Sequence, residues 1–380
     1  MSPSTSTRTT LPLKVLLVST SYPKSEKDWQ GRFIADMVQA LDALPELQLS
    51  VWSPPGEFPA RVRYAASAAE SERLSKMTAL GGIAQILRNK KLAGLSHVAG
   101  LLLGLRRVYR EKSIADVVHV NWLQNALPLW GNQTPALITI LGTDFSLLQA
   151  PGMITLLRMV IRQRKCIMAP NAAWMVPKLQ AVFGDIAEIK AIPFGVEKKW
   201  FNLSRKIEQG PPQKWLAVTR LTNKKIGNLL TWGEGLFNGA RELHLFGPMQ
   251  ETIELPSWVK YHGPTNPTEL QQTWFPEAAG LITLSRHDEG RPQVLLEAMA
   301  AGLPVIASDL PAHKDLIEHQ KTGWIATSRA SLQSALEHLD SIENNVSIGK
   351  SAQAWIAKEV GTWDDCGMRY KLAYMDLAKA

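Results

Sequence analysis

Short apolar runs punctuate this chain, each closed by a polar turn, a glycine or a proline, and between several of them the apolar positions recur at helical spacing. Leu13 to Ser19 is the first run, followed by a loop and then by Phe33 to Leu44 with a helical pattern. Leu47 to Trp52, Asp116 to Val120, Leu137 to Leu141, Cys166 to Pro170 and Ile189 to Pro193 repeat the strand pattern. The runs are continuous rather than alternating, the signature of parallel strands covered on both faces. From Gly195 to Lys214 periodicity disappears while charge and proline accumulate, which marks a domain boundary. A second series then starts: Trp215 to Val218, a helix through Leu229, Leu230 and Trp232, Glu242 to Phe246, Val259 to His262, Gly280 to Leu284 and Pro304 to Ser308. Helices follow around Ser331 to Leu339 and Ala352 to Ala378. The pattern predicts an α/β protein of two Rossmann-like domains, residues 1–200 and 201–355, with a C-terminal helix at 356–380 that packs back toward the first domain.

Composition narrows this picture. A length of 380 residues exceeds one ordinary core and suits two domains. The formal charge of +8 favours anionic partners such as nucleotide phosphates, acidic glycans or an anionic membrane face. No recognition pattern for nucleic acid accompanies it, so no nucleic-acid partner is expected. Cys166 and Cys366 are the two cysteines, too few for a disulfide framework or a zinc site. Leu11 to Thr20 reads as a first strand rather than a signal peptide, and no apolar run approaches the ~20 residues of a membrane span. A cytoplasmic protein is expected. Residues 81–112 combine Leu and Ala with Arg88, Lys90, Lys91, Arg106, Arg107, Arg110 and Lys112. Two readings stand for that segment: a basic amphipathic helix lying peripherally on the inner, anionic membrane face, or a pair of core-packing helices with solvated charges.

Chemistry concentrates between Ser285 and Trp324. A charged, glycine-containing loop ends at Pro292, and Val294, Leu295, Ala298 and Met299 recur at helical spacing until Gly302. Glu289 lies in the loop and Glu297 inside the helix. Backbone N–H groups at a helix start bind anions, and a carboxylate one turn in accepts sugar hydroxyls. Elsewhere, polar residues just past predicted strand ends are ligand candidates in an open α/β sheet: His119, Asn121 and Asp144 in the first half. Gly31 lies in the first strand-to-helix loop, either as a plain turn glycine or as a point of close backbone approach. Arg220, Lys224 and Lys225 cluster in the first such loop of the second half, where the residues alone read as a solvated charged loop ahead of a diphosphate cradle. The dinucleotide, P-loop, zinc-protease and nucleophile-elbow patterns are missing, as is an Asp-x-Asp pair for a divalent metal.

The segment EGRPQVLLEAMAAGLPVIAS, with Glu289 and Glu297 as an E-x7-E pair, resembles the retaining glycosyltransferases of GT-B fold, family 4. VTRLTNKKIGNLL resembles that family's phosphate loop, IPFGVEKKWF its interdomain segment, LHLFGP and VKYHGP its nucleotide-side turns, and DVVHVNW and ITILGTD its N-terminal strand ends. The resemblance implies two Rossmann-like domains facing a central cleft, with no cofactor and no metal. It implies a nucleotide-diphosphate sugar donor and a saccharide or lipid-linked saccharide acceptor, within polysaccharide or glycolipid synthesis. By the same resemblance, Glu297 accepts the ribose hydroxyls. Glu289, with Gly290, Arg291, Pro292, Gln293 and Val294, holds the transferred hexose. Arg220 and Lys225, with Lys224 beside them, take the diphosphate, and Gly31 and Gly247 border it. His119, Asn121 and Asp144 become acceptor-side candidates. Leu141 stands where the family often carries His, Arg291 where it often carries Phe, and Ile226 separates Lys225 from Gly227. A GT-B nucleotide-sugar epimerase and a catalytically silent glycan-assembly subunit are the alternative readings.

Overall fold

The computed structural model describes residues 11–25, 28, 30–79, 91–111, 115–206, 213–287 and 289–379. Among them the strands form two wholly parallel sheets. The first is β3-β2-β1-β4-β5-β6-β7, from Leu13–Val18 (β1), Leu47–Trp52 (β2), Arg63–Tyr64 (β3), Val117–Asn121 (β4), Ala136–Ile140 (β5), Cys166–Pro170 (β6) and Glu188–Ile189 (β7). The second is β10-β9-β8-β11-β12-β13, from Gln213–Val218 (β8), Arg241–Phe246 (β9), Val259–Gly263 (β10), Ala278–Thr283 (β11), Val305–Ser308 (β12) and Trp324–Ala326 (β13). Each order reverses once, between β1 and β4 and between β8 and β11. In doubly wound sheets a ligand crevice opens at that reversal, beyond the carboxyl ends of the strands.

Burial explains the continuous apolar runs. Val15 and Leu17 enter one core of the first domain while Leu16 and Val18 enter the other, so both sheet faces are covered. Leu216 and Trp215 split the same way in the second domain. Trp363–Ala378 belongs to the first domain's core: Trp363, Cys366, Tyr370, Tyr374 and Leu377 pack with β1, β2 and Arg32–Asp42. The chain therefore crosses between domains twice, and the crossings lie side by side, with Val196 bridging Thr362 and its N–H donating to Gly361 O at 3.1 Å.

Two sequence expectations change, and the described part of the basic segment bears on a third. Of Ile189 to Pro193, only Ile189 pairs as strand, and the rest runs on into the crossing. Ala352 to Ala378 is divided between Ile342–Glu359 and Trp363–Ala378. The break falls at Gly361, whose φ is +73° and whose missing side chain admits Asp365 of the next helix's capping box. In the basic segment, Lys91–Arg110 is one helix with Leu101, Leu105, Val108 and Tyr109 buried, the core-packing reading. Arg107 is tied to Glu70 and Ala65 O, and Arg106 to Pro128 O. Arg88, Lys90 and Lys112, and the side chain of Lys91, lie outside the described residues. Among the described residues no helix is long and apolar enough to cross a membrane.

Candidate active site

The second domain's reversal point is built by the loop after β8. Thr222 caps the turn Asn223–Ile226 by accepting the Lys225 N–H at 3.3 Å. The loop is stitched to the end of β11 by Asn228 N–H to Leu284 O at 3.0 Å and Arg286 N–H to Lys224 O at 2.8 Å. Gly227 has φ +56°, and a Cβ there would stand 1.9 Å from Leu284 O. Gly247, φ +131°, closes the other side, a Cβ there falling 1.7 Å from Thr219 O. This stitching turns Lys225 inward onto Glu289, with side chains 14% and 15% exposed. Arg220 and Lys224 remain exposed beside them. Burial, together with the Arg220 charge, draws the Lys225 ammonium below its ordinary pKa, against the pull of Glu289.

Gln293–Ala300 starts at Pro292 and buries Leu295, Leu296, Ala298 and Met299 completely. Those contacts fix the helix, and the remaining face carries Glu297. Burial first, then the carboxylates of Glu197 and Asp36, push the Glu297 carboxyl up to about 8, with Lys199 opposing. Asp36 is itself pushed up to about 7, again mainly by burial, against the neighbouring Arg32 guanidinium. Arg32 Nε donates to Asp36 at 3.0 Å and its other arm lies 3.9 Å from Glu197, whose second oxygen meets Lys199. An acidic niche with two cations thus joins the first helix, the interdomain crossing and the Glu297 helix. The neighbouring sequence candidates divide. Val294 packs on the second core, Gln293 donates through Nε2 to Gly195 O at 3.0 Å, and Arg291 is turned onto Asp315, 7% exposed.

From the first domain, the ends of β5 and β6 press on the Glu289 loop. A Cβ on Gly142, φ +100°, would lie 2.0 Å from Gly290 N, and one on Gly290 would lie 2.4 Å from Asn171 Oδ1 and 2.5 Å from Leu141 O. Trp174 Nε1 donates to Gly290 O at 2.9 Å. Gly31 caps Arg32–Asp42 in a left-handed conformation, φ +74°. A Cβ there would stand 2.5 Å from Ser21 Oγ, so the glycine serves close backbone packing at the end of β1.

The three acceptor-side candidates are buried and hydrogen-bonded within the first domain. His119 is fully buried, with Nδ1 on Tyr374 at 2.6 Å and Nε2 on Thr139 at 2.8 Å, and burial pulls it down to about 3. Asn121 is also fully buried and donates to Val18 O. The Asp144 carboxylate accepts the N–H groups of Leu123 and Leu141, both at 2.9 Å. A continuous apolar run places a residue at a strand end but does not say that a C-terminal helix will cover it. Conversely, Asp36, Glu197, Trp174 and Asp315 were not singled out by sequence, since each meets the site only through contacts across the fold. Trp122 was also missed. It is a partly exposed residue at φ +66° beyond β4, edge-on to Phe33 at 6.1 Å. The polar strand-end signal of DVVHVNW lay next to it.

The architecture is the GT-B fold, two parallel-sheet α/β domains meeting across a cleft. Residues 250–359 match the family described as Glycosyl transferases group 1. The amylovoran biosynthesis glycosyltransferase AmsK of Erwinia amylovora is 30% identical over 182 residues, 43% of this chain and 44% of AmsK. The matches span under half the length of the curated relatives concerned. Among solved structures, sucrose-phosphate synthase from Thermosynechococcus elongatus has a TM-score of 0.72 at 15% identity, covering 97% of this chain and 99% of its own. HepE of Anabaena, solved with UDP-glucose, has a TM-score of 0.63 at 14% identity, covering 96% and 100%.

Proposed function

We propose that the protein is a retaining, metal-independent hexosyltransferase that moves a sugar from a nucleotide diphosphate to a saccharide or lipid-linked saccharide. The observation that carries this reading is the inward-facing Lys225–Glu289 pair at the reversal point of the second sheet, with Arg220 beside it. As the glycosyl bond breaks, negative charge grows on the departing diphosphate. Arg220 and Lys225 neutralise it from fixed positions, which avoids reorganising solvent during the step. Glu289 receives hydroxyls of the transferred sugar, and Glu297 receives the ribose hydroxyls. Lys224 adds positive charge at the cleft rim. The departing phosphate assists deprotonation of the acceptor hydroxyl on the same sugar face. AmsK, named for amylovoran biosynthesis, supports a polysaccharide assignment, and HepE, solved with UDP-glucose, supports a nucleotide-sugar donor.

The test is incubation of the purified chain with a panel of nucleotide sugars, with and without saccharide acceptors, in EDTA, followed by NMR of the product anomer. A new glycoside with the donor's anomeric configuration supports the reading. An epimer of the donor formed without acceptor favours the epimerase instead, and calorimetry showing no binding of any nucleotide diphosphate favours a silent subunit. Peripheral membrane attachment through 81–112 is tested by flotation with phosphatidylglycerol vesicles at low salt, and failure to float removes it.

A further inference from the structure

The loop that carries Glu289 has little of its own domain to rest on. Residues 289–292 form no helix or strand; within the second domain Lys225 meets Glu289, Asp315 meets Arg291, and Pro292 O at the loop's end accepts the N–H groups of Leu295 and Leu296 at 3.2 and 3.4 Å. The middle of the loop is gripped from the other domain. Trp174 Nε1 donates to Gly290 O at 2.9 Å, and the indole is set edge-on against Phe145, centroids 5.4 Å apart, with the Lys178 ammonium over the Phe145 ring at 5.0 Å. One residue back, Ala173 N–H donates at 3.2 Å to the same Asp315 oxygen that receives Arg291. Glycine on both sides, Gly142 and Gly290, lets the backbones approach closely enough for these bonds. Segment 171–174 thus touches the loop directly and through its anchor.

We propose that Trp174 and Asp315 are positioning residues that brace the Glu289–Arg291 loop across the cleft and set the register of Glu289 against Lys225. This rests on the glycosyl-transfer reading of the site. Lys225 and Glu297 are held by their own domain, so nucleotide binding survives an open brace. Sugar alignment needs Glu289 in register and does not survive it. The brace therefore separates nucleotide capture from turnover.

Trp174→Phe removes the indole N–H and keeps an aromatic ring against Phe145. Asp315→Asn, the second variant, keeps an acceptor for Ala173 N–H and weakens the hold on Arg291. Melting scans establish that each is folded. Hydrogen exchange on the unliganded protein is then read for residues 289–292 and for the helix 293–300. UDP affinity by calorimetry and turnover of the donor found in the nucleotide-sugar panel complete the set. The expected result is exchange about tenfold faster at 289–292 with the helix unchanged, UDP affinity within twofold, and kcat down about tenfold. Unchanged exchange in Trp174→Phe overturns the brace whatever the activity. Faster exchange with unchanged kcat overturns its positioning role, as does equal loss of UDP affinity and kcat. If the wild-type chain turns over no nucleotide sugar, the transferase reading fails while the exchange arm still decides the brace.

Discussion

Glu297→Gln separates what the acidic niche costs from what it contributes, because the amide keeps the shape and removes the ionisation. In the folded chain this carboxyl titrates at about 8 against an ordinary 4.5, through burial and the facing Glu197 and Asp36. A carboxyl with a raised native pKa holds its proton more tightly when folded, so the wild type loses stability as pH climbs from 4.5 and stops losing it above about 8. At roughly 1.36 kcal/mol per pH unit, that window gives an upper bound of about 5 kcal/mol. The side chain is only partly buried by surface exposure, and screening at the cleft brings the figure to about 2 kcal/mol. With roughly 2–4 °C per kcal/mol for domains of this size, the variant melts ~4–8 °C above wild type near pH 8.5, and the two curves converge below pH ~4.5. Binding moves the opposite way. A carboxylate accepting ribose hydroxyls contributes roughly 1.5–3 kcal/mol per bond, so UDP affinity falls at least about tenfold in the variant. Wild-type UDP affinity rises with pH as Glu297 ionises. Melting scans and calorimetry from about pH 5 to 9 check both limbs. A variant no more stable than wild type near pH 8.5 refutes the desolvated niche, and unchanged UDP affinity refutes the ribose contact.

Lys225→Met and Glu289→Gln each strand one half-buried charge and are expected to cost about 1–3 kcal/mol of stability, with the double variant costing less than their sum. A urea-unfolding double-mutant cycle reads this, and strict additivity shows the two groups are not coupled. Gly142→Ala pushes a methyl group into Gly290 N and forces a left-handed alanine. Turnover should fall at least about tenfold while UDP binding is kept, and full activity would mean the loop tolerates displacement. His119, held near 3 by burial, supports stability that is complete above pH 6.5 and lost as pH falls toward about 3. His119→Gln should flatten that acid limb in melting scans and leave kcat unchanged, whereas a loss of kcat at constant stability would return His119 to the acceptor side.

The two-domain parallel architecture was legible in the sequence because strands covered on both faces read as near-continuous apolar runs, as in Val15 to Val18 of the first strand and in CIMAP. The two- and three-residue strands Arg63–Tyr64 and Trp324–Ala326 were not, since so few residues carry no period. Glu289, Lys225 and Glu297 stand out in the sequence as candidates because each sits in a local pattern of loop, glycine and helix. Their environments could not. Whether Lys224 or Lys225 faces Glu289 depends on how the end of β11 is stitched to the loop, and His119 looks like a site residue until Tyr370 and Tyr374 arrive from some 250 positions away to cover it. Asp36, Glu197, Trp174 and Asp315 carry no local signal at all. Sequence determines which residues can bear charge at a strand or helix end. Only the tertiary structure decides which charges share a niche, because burial and facing carboxylates, not residue type, set where Glu297 and Asp36 titrate.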